Sequence, residues 1–354
     1  MAFNITHPTS SPERYSNSSR VDFNECPSSE AWEWLYMMQP AFMAFICVAG
    51  TIGNVFVLCV FCFHRKKCSV AEIYLSNLAV ADLVMVSCLP FWAVTIANEF
   101  NWNFGDLLCR LVNVAISMNL FSSILFLVLV SIDRYLAFVR PMTAGRMRRA
   151  TWAKKISLGI WITSFLFSLP VLIFRSVKYF PEFNALACYL AYPHEGWRVR
   201  HNLIINIVGF LIPLVVISFC SYQIIQTLKK NEMKQFSAAR TERKASILIL
   251  AVVLVFLVCW VPFHIVMLLD TLFHYQAISG CHWEDILDVG EQISTYLAYS
   301  NSSLNPILYV IVGKQFRKKA KGLFRQISSW DVKGKVSQVS KFTSTLKYFE
   351  STQV

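Results

Sequence analysis

Long apolar runs dominate the chain, and short basic or polar segments separate them. Residues 35–63, 111–132, 156–174, 202–228, 245–269 and 292–313 contain no Asp, Glu, Lys or Arg, and 73–98 contains one, Asp82. Each run approaches or exceeds the ~20 residues that cross a bilayer. Hydrocarbon offers backbone groups no partner except each other, so such spans must be helices. A buried core helix could imitate one of these runs but not seven. The pattern predicts an all-α membrane protein, a seven-transmembrane helix bundle over residues 35–313.

The flanks divide by pattern as well. Residues 1–34 are polar and rich in Ser and Pro, an extracellular N-terminal tail without the apolar core of a cleavable signal, so the first span is expected to serve as signal and anchor. Residues 314–327 are expected to form a short amphipathic eighth helix on the inner leaflet, with Phe316, Leu323 and Phe324 inward and the lysines and arginines at the headgroups. Residues 328–354 are a polar cytoplasmic tail rich in Ser and Thr. No internal repeat is visible, which argues against the inverted halves of many transporters.

Composition sharpens the class. The chain is 55% hydrophobic and only 15% charged, against roughly a quarter charged in soluble domains. Its net charge of +12 is gathered at span ends: 64–67, Arg140 to Lys155, Lys229 to Lys244 and Lys314 to Lys321. By the bias of Lys and Arg toward the cytoplasm, those ends lie inside and the amino terminus outside. The basic collar then faces anionic lipid, and nucleic-acid binding is a poor reading of it. With the amino terminus outside, Asn4 and Asn17 are glycosylation acceptors, whereas the sequon at Asn301 lies within a span. Of eleven cysteines, Cys26, Cys188 and Cys281 fall outside, and Cys109 begins span three at the outer edge. Four cysteines allow three pairings. Cys109 with Cys188 would staple the long outer loop, residues 176–200, over the mouth and leave Cys26 with Cys281.

A charge inside a span is costly and reads as functional. Asp82 has Asn54, Asn119, Ser123, Asn301, Ser302 and Asn305 as partners at membrane depth. Such oxygen-bearing groups could coordinate Na⁺, with Asp82, Asn119, Ser123 and Asn301 as the ligands, or they could form a hydrated polar network. Pro262 lies above Trp260 in span six and Pro306 follows Asn305 in span seven, so each helix carries a kink. Asp133, Arg134 and Tyr135 stand at the inner end of span three. From 245 to 313 there is no Lys or Arg, yet the outer part holds Asp270, Glu284, Asp285, Asp288 and Glu291. This acid rim would focus cations, and Asp270 and Asp288 are placed to pair a guanidinium. A pore would want aligned charges in several spans, and no phosphate loop or metalloprotease motif occurs, so a channel or an enzyme is disfavoured.

Asp133-Arg134-Tyr135, Trp161, Cys259-Trp260-Val261-Pro262 and Asn305-Pro306-Ile307-Leu308-Tyr309, together with Asn54 and Asp82, fall in order, one set per expected helix. They resemble the signature positions of class A (rhodopsin-like) G-protein-coupled receptors. The resemblance implies that Asp133 restrains Arg134 until activation, that Trp260 senses ligand, that Tyr309 belongs to the span-seven switch, and that Asp82 binds an allosteric Na⁺. It implies no other cofactor. It departs at Ser221, where the family usually has Tyr; Tyr222 follows instead. Leu89-Pro90-Phe91-Trp92-Ala93, Ile116-Ser117-Met118-Asn119-Leu120 and Val310-Ile311-Val312-Gly313-Lys314 are similar to kinin (bradykinin) receptors, more the type-2 than the type-1 form. That likeness implies a kinin peptide agonist and a heterotrimeric G protein, Gq with phospholipase C and calcium. Its pocket would include Trp92, Ile116, Ser117, Arg175, Phe263, Asp270, Asp288, Gln292 and Tyr299. The type-1 form tends to carry Lys where Ser117 stands, so Ser117 implies a ligand that keeps its carboxy-terminal Arg. The tail implies a receptor kinase and arrestin, and Ser351-Thr352-Gln353-Val354 resembles a ligand of a PDZ-domain protein. The tail departs from type-2 relatives in having no cysteine after Cys281.

Overall fold

A computed structural model of the chain describes residues 30–63, 68–140, 149–181, 184–231, 237–311, 313 and 316–325. Asn4, Asn17, Cys26, the basic residues 64–67 and the tail 328–354 lie outside them. The helices are α1 (Glu30–Phe63), α2 (Val70–Ala97), α3 (Gly105–Phe138), α4 (Ala150–Phe174), α5 (Glu195–Asn206), α6 (Ile212–Asn231), α7 (Ser237–His274) and α8 (Cys281–Ile311). A π turn, Ile207–Leu211, joins α5 to α6 as one rod, and residues 316–325 form α9.

Helices α1 and α2 pack together, α3 lies against α2, α4, α6 and α7, and α8 packs on both α7 and α1, which closes the bundle. Close approach is set locally by small residues. At Gly53 an added Cβ would stand 2.8 Å from Pro306 Cβ, so only glycine lets α1 meet the kinked part of α8. The outward faces carry exposed Leu111, Ile162, Val215, Leu254 and Val258, while Asn54, Asp82, Ser123 and Asn305 are fully buried. Apolar outside and polar inside is the arrangement expected of a protein whose solvent is lipid.

Six helices among the described residues are long and apolar enough to cross a membrane. The seventh, α8, falls short of that measure. Its first turns carry acids, and beyond them it buries Ser294, Thr295, Asn301, Ser302, Ser303 and Asn305. Those polar groups face the interior, while Ile293, Leu297, Ile307 and Val310 are exposed on the outer face, so the helix keeps an apolar side for lipid and its place in the bundle.

The long loop after α4 is ordered into a hairpin. Strand β1 (Arg175–Phe180) pairs antiparallel with β2 (Ala185–Leu190), Arg175 opposite Leu190. Cys109 and Cys188 are joined by a disulfide with a sequence separation of 79, which ties β2 to the start of α3. Val177 N–H donates to Asp106 Oδ1 at 3.1 Å, and Trp102 N–H donates to Leu186 O at 2.7 Å. Both strands are thus pinned over one end of the bundle. Cys281 is also disulfide-bonded; Cys26, its expected partner, lies outside the described residues.

At the opposite end, Ser69 and Glu72 cap α2 reciprocally, with Ser69 N–H donating to Glu72 Oε2 at 2.8 Å. Glu72 also holds Lys319 of α9 at 2.7 Å. Phe316 packs on Phe56 and Phe61, and Leu323 is buried. Here the structure differs from the expectation of a helix held by three apolar side chains in the leaflet. Phe316 and Leu323 turn onto the protein, Lys319 pairs with an acid, and only Phe324 is exposed.

Candidate functional site

A cavity of about 450 Å³ lies at the hairpin end, enclosed by α3, α5, α7, α8 and the hairpin. Its walls carry opposite charges. Asp270 of α7 and Glu284, Asp288 and Glu291 of the adjoining α8 supply the acids; Arg175 and Lys178 of β1, and Arg198 of α5, which packs on α7, supply the cations. Ile116, Ser117, Trp260, Phe263 and Tyr299 form the deeper surface.

The charges are held in different ways. Arg198 donates through Nη2 to both oxygens of Asp270, at 2.9 and 3.0 Å, a charge-assisted pair made by one nitrogen. Arg175 is fixed by the root of the hairpin, 2% exposed. Its Nη2 donates to Asn113 Oδ1 at 2.7 Å and its guanidinium stands 5.7 Å from the Trp92 ring centre. Burial pulls that guanidinium down to about 10, still cationic at neutral pH. Asp288 lies before the apolar part of α8. Burial, then the charges of Glu284, Asp285 and Asp270, push its carboxyl up to about 6. Burial, with Asp270 and Asp288 nearby, pushes Glu291 upward as well.

Of the nine residues expected to contact a ligand, Ile116, Ser117, Arg175, Phe263, Asp270, Asp288 and Tyr299 line this cavity. Trp92 and Gln292 stand behind its wall. Trp92 is 1% exposed and packs on Trp102, ring centres 5.4 Å apart, so it buttresses Arg175. Gln292 accepts from Gln39 Nε2 at 3.0 Å and from the Tyr296 hydroxyl at 3.2 Å, facing α1. Sequence reading missed Arg198, Asn113 and Lys178. Arg198 had a signal: a base on the acid-leaning side, one turn inside a helix start.

Below the cavity Asp82 is fully buried and accepts three bonds, from Ser302 Oγ at 2.8 Å, Asn305 Nδ2 at 3.0 Å and Asn119 Nδ2 at 3.2 Å. Asn119 also donates to Ser123 Oγ at 3.0 Å. Among the described residues, the side-chain oxygens of Asn54, Asn301 and Asn305 are buried without a hydrogen-bond partner. A carboxylate with orphaned carbonyl oxygens on the surrounding helices is a donor set that fits a hard cation better than a soft one. No group of three His, Cys, Asp or Glu able to hold a metal occurs among the described residues.

Trp260 stacks on Phe256 and lies 6.2 Å from the His264 ring, two residues before Pro262. His264 in turn stacks on Phe210 of the π turn at 4.3 Å, which links the kink of α7 to the α5–α6 rod. At the far end of α3, Arg134 Nε donates to Asp133 Oδ2 at 3.0 Å, and its Nη2 bonds the same oxygen. Tyr135 packs on Phe219. Tyr309 is buried near the base of α8, whereas Tyr222 is turned outward and exposed. The inward position on α6 therefore carries no tyrosine to receive Arg134.

Residues 53–309 match the family described as 7 transmembrane receptor (rhodopsin family). The chain is 50% identical over 327 residues to the B2 bradykinin receptor of Rattus norvegicus, covering 92% of this chain and 82% of that one. It is 53% identical over 299 residues to the B2 bradykinin receptor of Homo sapiens, covering 84% and 76%. To the B1 bradykinin receptor of Homo sapiens it is 45% identical over 299 residues, covering 84% and 85%.

Proposed function

The chain belongs to the rhodopsin family of seven-transmembrane receptors, and from that premise we propose that it is a plasma-membrane receptor for a cationic, kinin-like peptide, with its amino terminus outside. The cavity carries this reading. An acid wall of Asp270, Glu284, Asp288 and Glu291 stands opposite Arg175 and Lys178, which suits a chain with arginine side chains and a free carboxylate. Small Ser117 adds no charge to the deep surface, in keeping with a ligand that retains its carboxy-terminal arginine. Similarity to bradykinin receptors supports the peptide class.

The signal would run from Trp260 through the Pro262 kink to Arg134. Leaving Asp133, that arginine would become available to a heterotrimeric G protein, for which we propose Gq, phospholipase C and calcium release. The Asp82 layer is proposed to hold Na⁺ in the resting receptor, where the ion would neutralise a carboxylate that three donors only partly stabilise. Cells displaying the full chain should release calcium at lower concentrations of an arginine-terminated kinin than of its des-Arg form. Silence toward every kinin, with the receptor present at the surface, would overturn the proposal.

A further inference from the structure

The acid wall is graded with depth. Glu284, Asp288 and Glu291 all line the cavity and follow one another at i, i+4 and i+7 on α8, so they share one face of the helix. At 1.5 Å per residue they descend it by about 10 Å. Asp270 closes the wall from α7, but its carboxylate already receives both bonds of Arg198. Asp288 and Glu291 differ: among the described residues neither forms an ion pair, although the Arg198 charge lies near enough to favour the ionised form of Glu291. Gly290 seats against Val266, where an added Cβ would stand 3.3 Å from Cγ2. Val266 is one turn before Asp270, so α8 packs closely on α7 at Gly290, the residue before Glu291.

Two more side chains, further down the same walls, point to a ligand that passes below the rim. The Tyr299 hydroxyl and the Trp260 indole N–H belong to residues that line the same cavity and are each 5% exposed. Among the described residues neither group has a hydrogen-bond partner. Buried polar groups are rarely left so unless something else completes them. The aromatic faces of Trp260 and Phe263 would also favour a cation over a neutral group.

We infer that Glu291 is a second cation subsite, below the rim acids, that takes a guanidinium or ammonium group of the ligand and selects peptides carrying two separated cationic groups. The inference rests on the peptide reading above and adds to it a residue and a depth. Asp270, engaged by Arg198, and Asp288 form the entrance; Glu291 holds the group that travels furthest in.

The test uses the full-length receptor in membranes, as wild type and as Glu291→Gln. Binding is measured for a kinin with arginine at both ends and for two analogues, each with one arginine replaced by citrulline, which keeps the shape without the charge. Glu291→Gln should weaken the parent peptide by about 10- to 100-fold, as expected for a lost charge pair in a partly desolvated site. It should leave one of the two citrulline analogues within about threefold of its wild-type affinity, since a pair whose cation is already absent has little left to lose. That retained affinity also reports a folded variant. Equal loss for all three ligands, or loss for none, overturns the subsite. A wild-type receptor that binds none of the three overturns the peptide reading instead.

Discussion

Arg198 and Arg175 both face an acid-lined cavity, yet they are held by different means and serve different ends. Arg198 is only partly buried and pairs with Asp270, so an incoming guanidinium can exchange for it without stranding a charge in a dry interior. Arg175 is fixed among Asn113, Trp92 and the hairpin root, and moving it would leave a buried cation unpaired, a change that costs several kcal/mol. Asp288 offers a titration. Its carboxyl is raised to about 6, so it is mostly ionised at pH 7.4 and mostly neutral at pH 5.5. A cationic peptide binds the ionised form. If the neutral form contributes nothing, affinity should fall about fourfold between those pH values. Competition binding at the two pH values checks this, and Asp288→Asn should remove that component, leaving whatever Glu291 and the other titratable groups lining the cavity contribute. An unchanged pH response in the variant would show that Asp288 is not the group sensed. For stability the sign is opposite. A raised carboxyl opposes the fold while ionised and is relieved on protonation, so weaker binding in mild acid would not report unfolding.

Among the elements, α9 is the one whose attachment differs most from expectation. A tail without cysteines after Cys281 suggests a helix that depends on lipid. Instead α9 is docked on the protein through Phe316, Leu323 and the Lys319–Glu72 pair. Glu72 serves two elements at once, since the same carboxylate caps α2. Glu72→Gln separates the two roles, because Gln can still close a capping box but cannot pair Lys319. It should speed hydrogen exchange across 316–325 with little change in α2. Ser69→Ala should do the reverse, costing the start of α2 about 0.5–2 kcal/mol. Exchange in 316–325 that is indifferent to Glu72→Gln would mean that apolar packing alone docks the helix.

For the whole molecule, the core is divided. One apolar cluster runs from Met43 and Met85 to Trp102 at the hairpin end, the other from Val57 and Leu78 to Tyr309 and Phe316 at the opposite end. On α2 the residues of the two clusters stop on either side of Asp82. A polar layer between two packed halves can rearrange without opening either, which suits a protein with two global states. If Na⁺ favours the resting arrangement of that layer, NaCl should lower agonist affinity, because a ligand that prefers one state draws population from the other. Choline chloride controls for screening of the acid wall. Asp82→Asn should abolish the difference between the salts, and identical behaviour of sodium and choline on wild type would exclude an ion at this layer.

Six spans are evident from apolar length alone, and the seventh from its freedom from charge, because crossing hydrocarbon is a demand made on each segment separately. Asp82, the Asp133–Arg134 pair and the acids near Asp270 and Asp288 could be found for the same reason: a charge at or near a membrane span is conspicuous wherever it occurs. What the sequence could not determine is which way each side chain turns once the bundle has formed. Trp92 and Gln292 satisfy the pattern of pocket residues, yet Trp102, Arg175 and Gln39 hold them behind the wall. Arg198 meets Asp270 only because α5, starting at Glu195, packs against α7. Phe316 and Leu323 leave the lipid because α1 offers Phe56 and Phe61. A helix in a membrane can bury an apolar face against lipid or protein at similar gain, so hydrophobic pattern sets that a helix spans, and only the packing of its neighbours sets how it is rotated and what its polar groups meet.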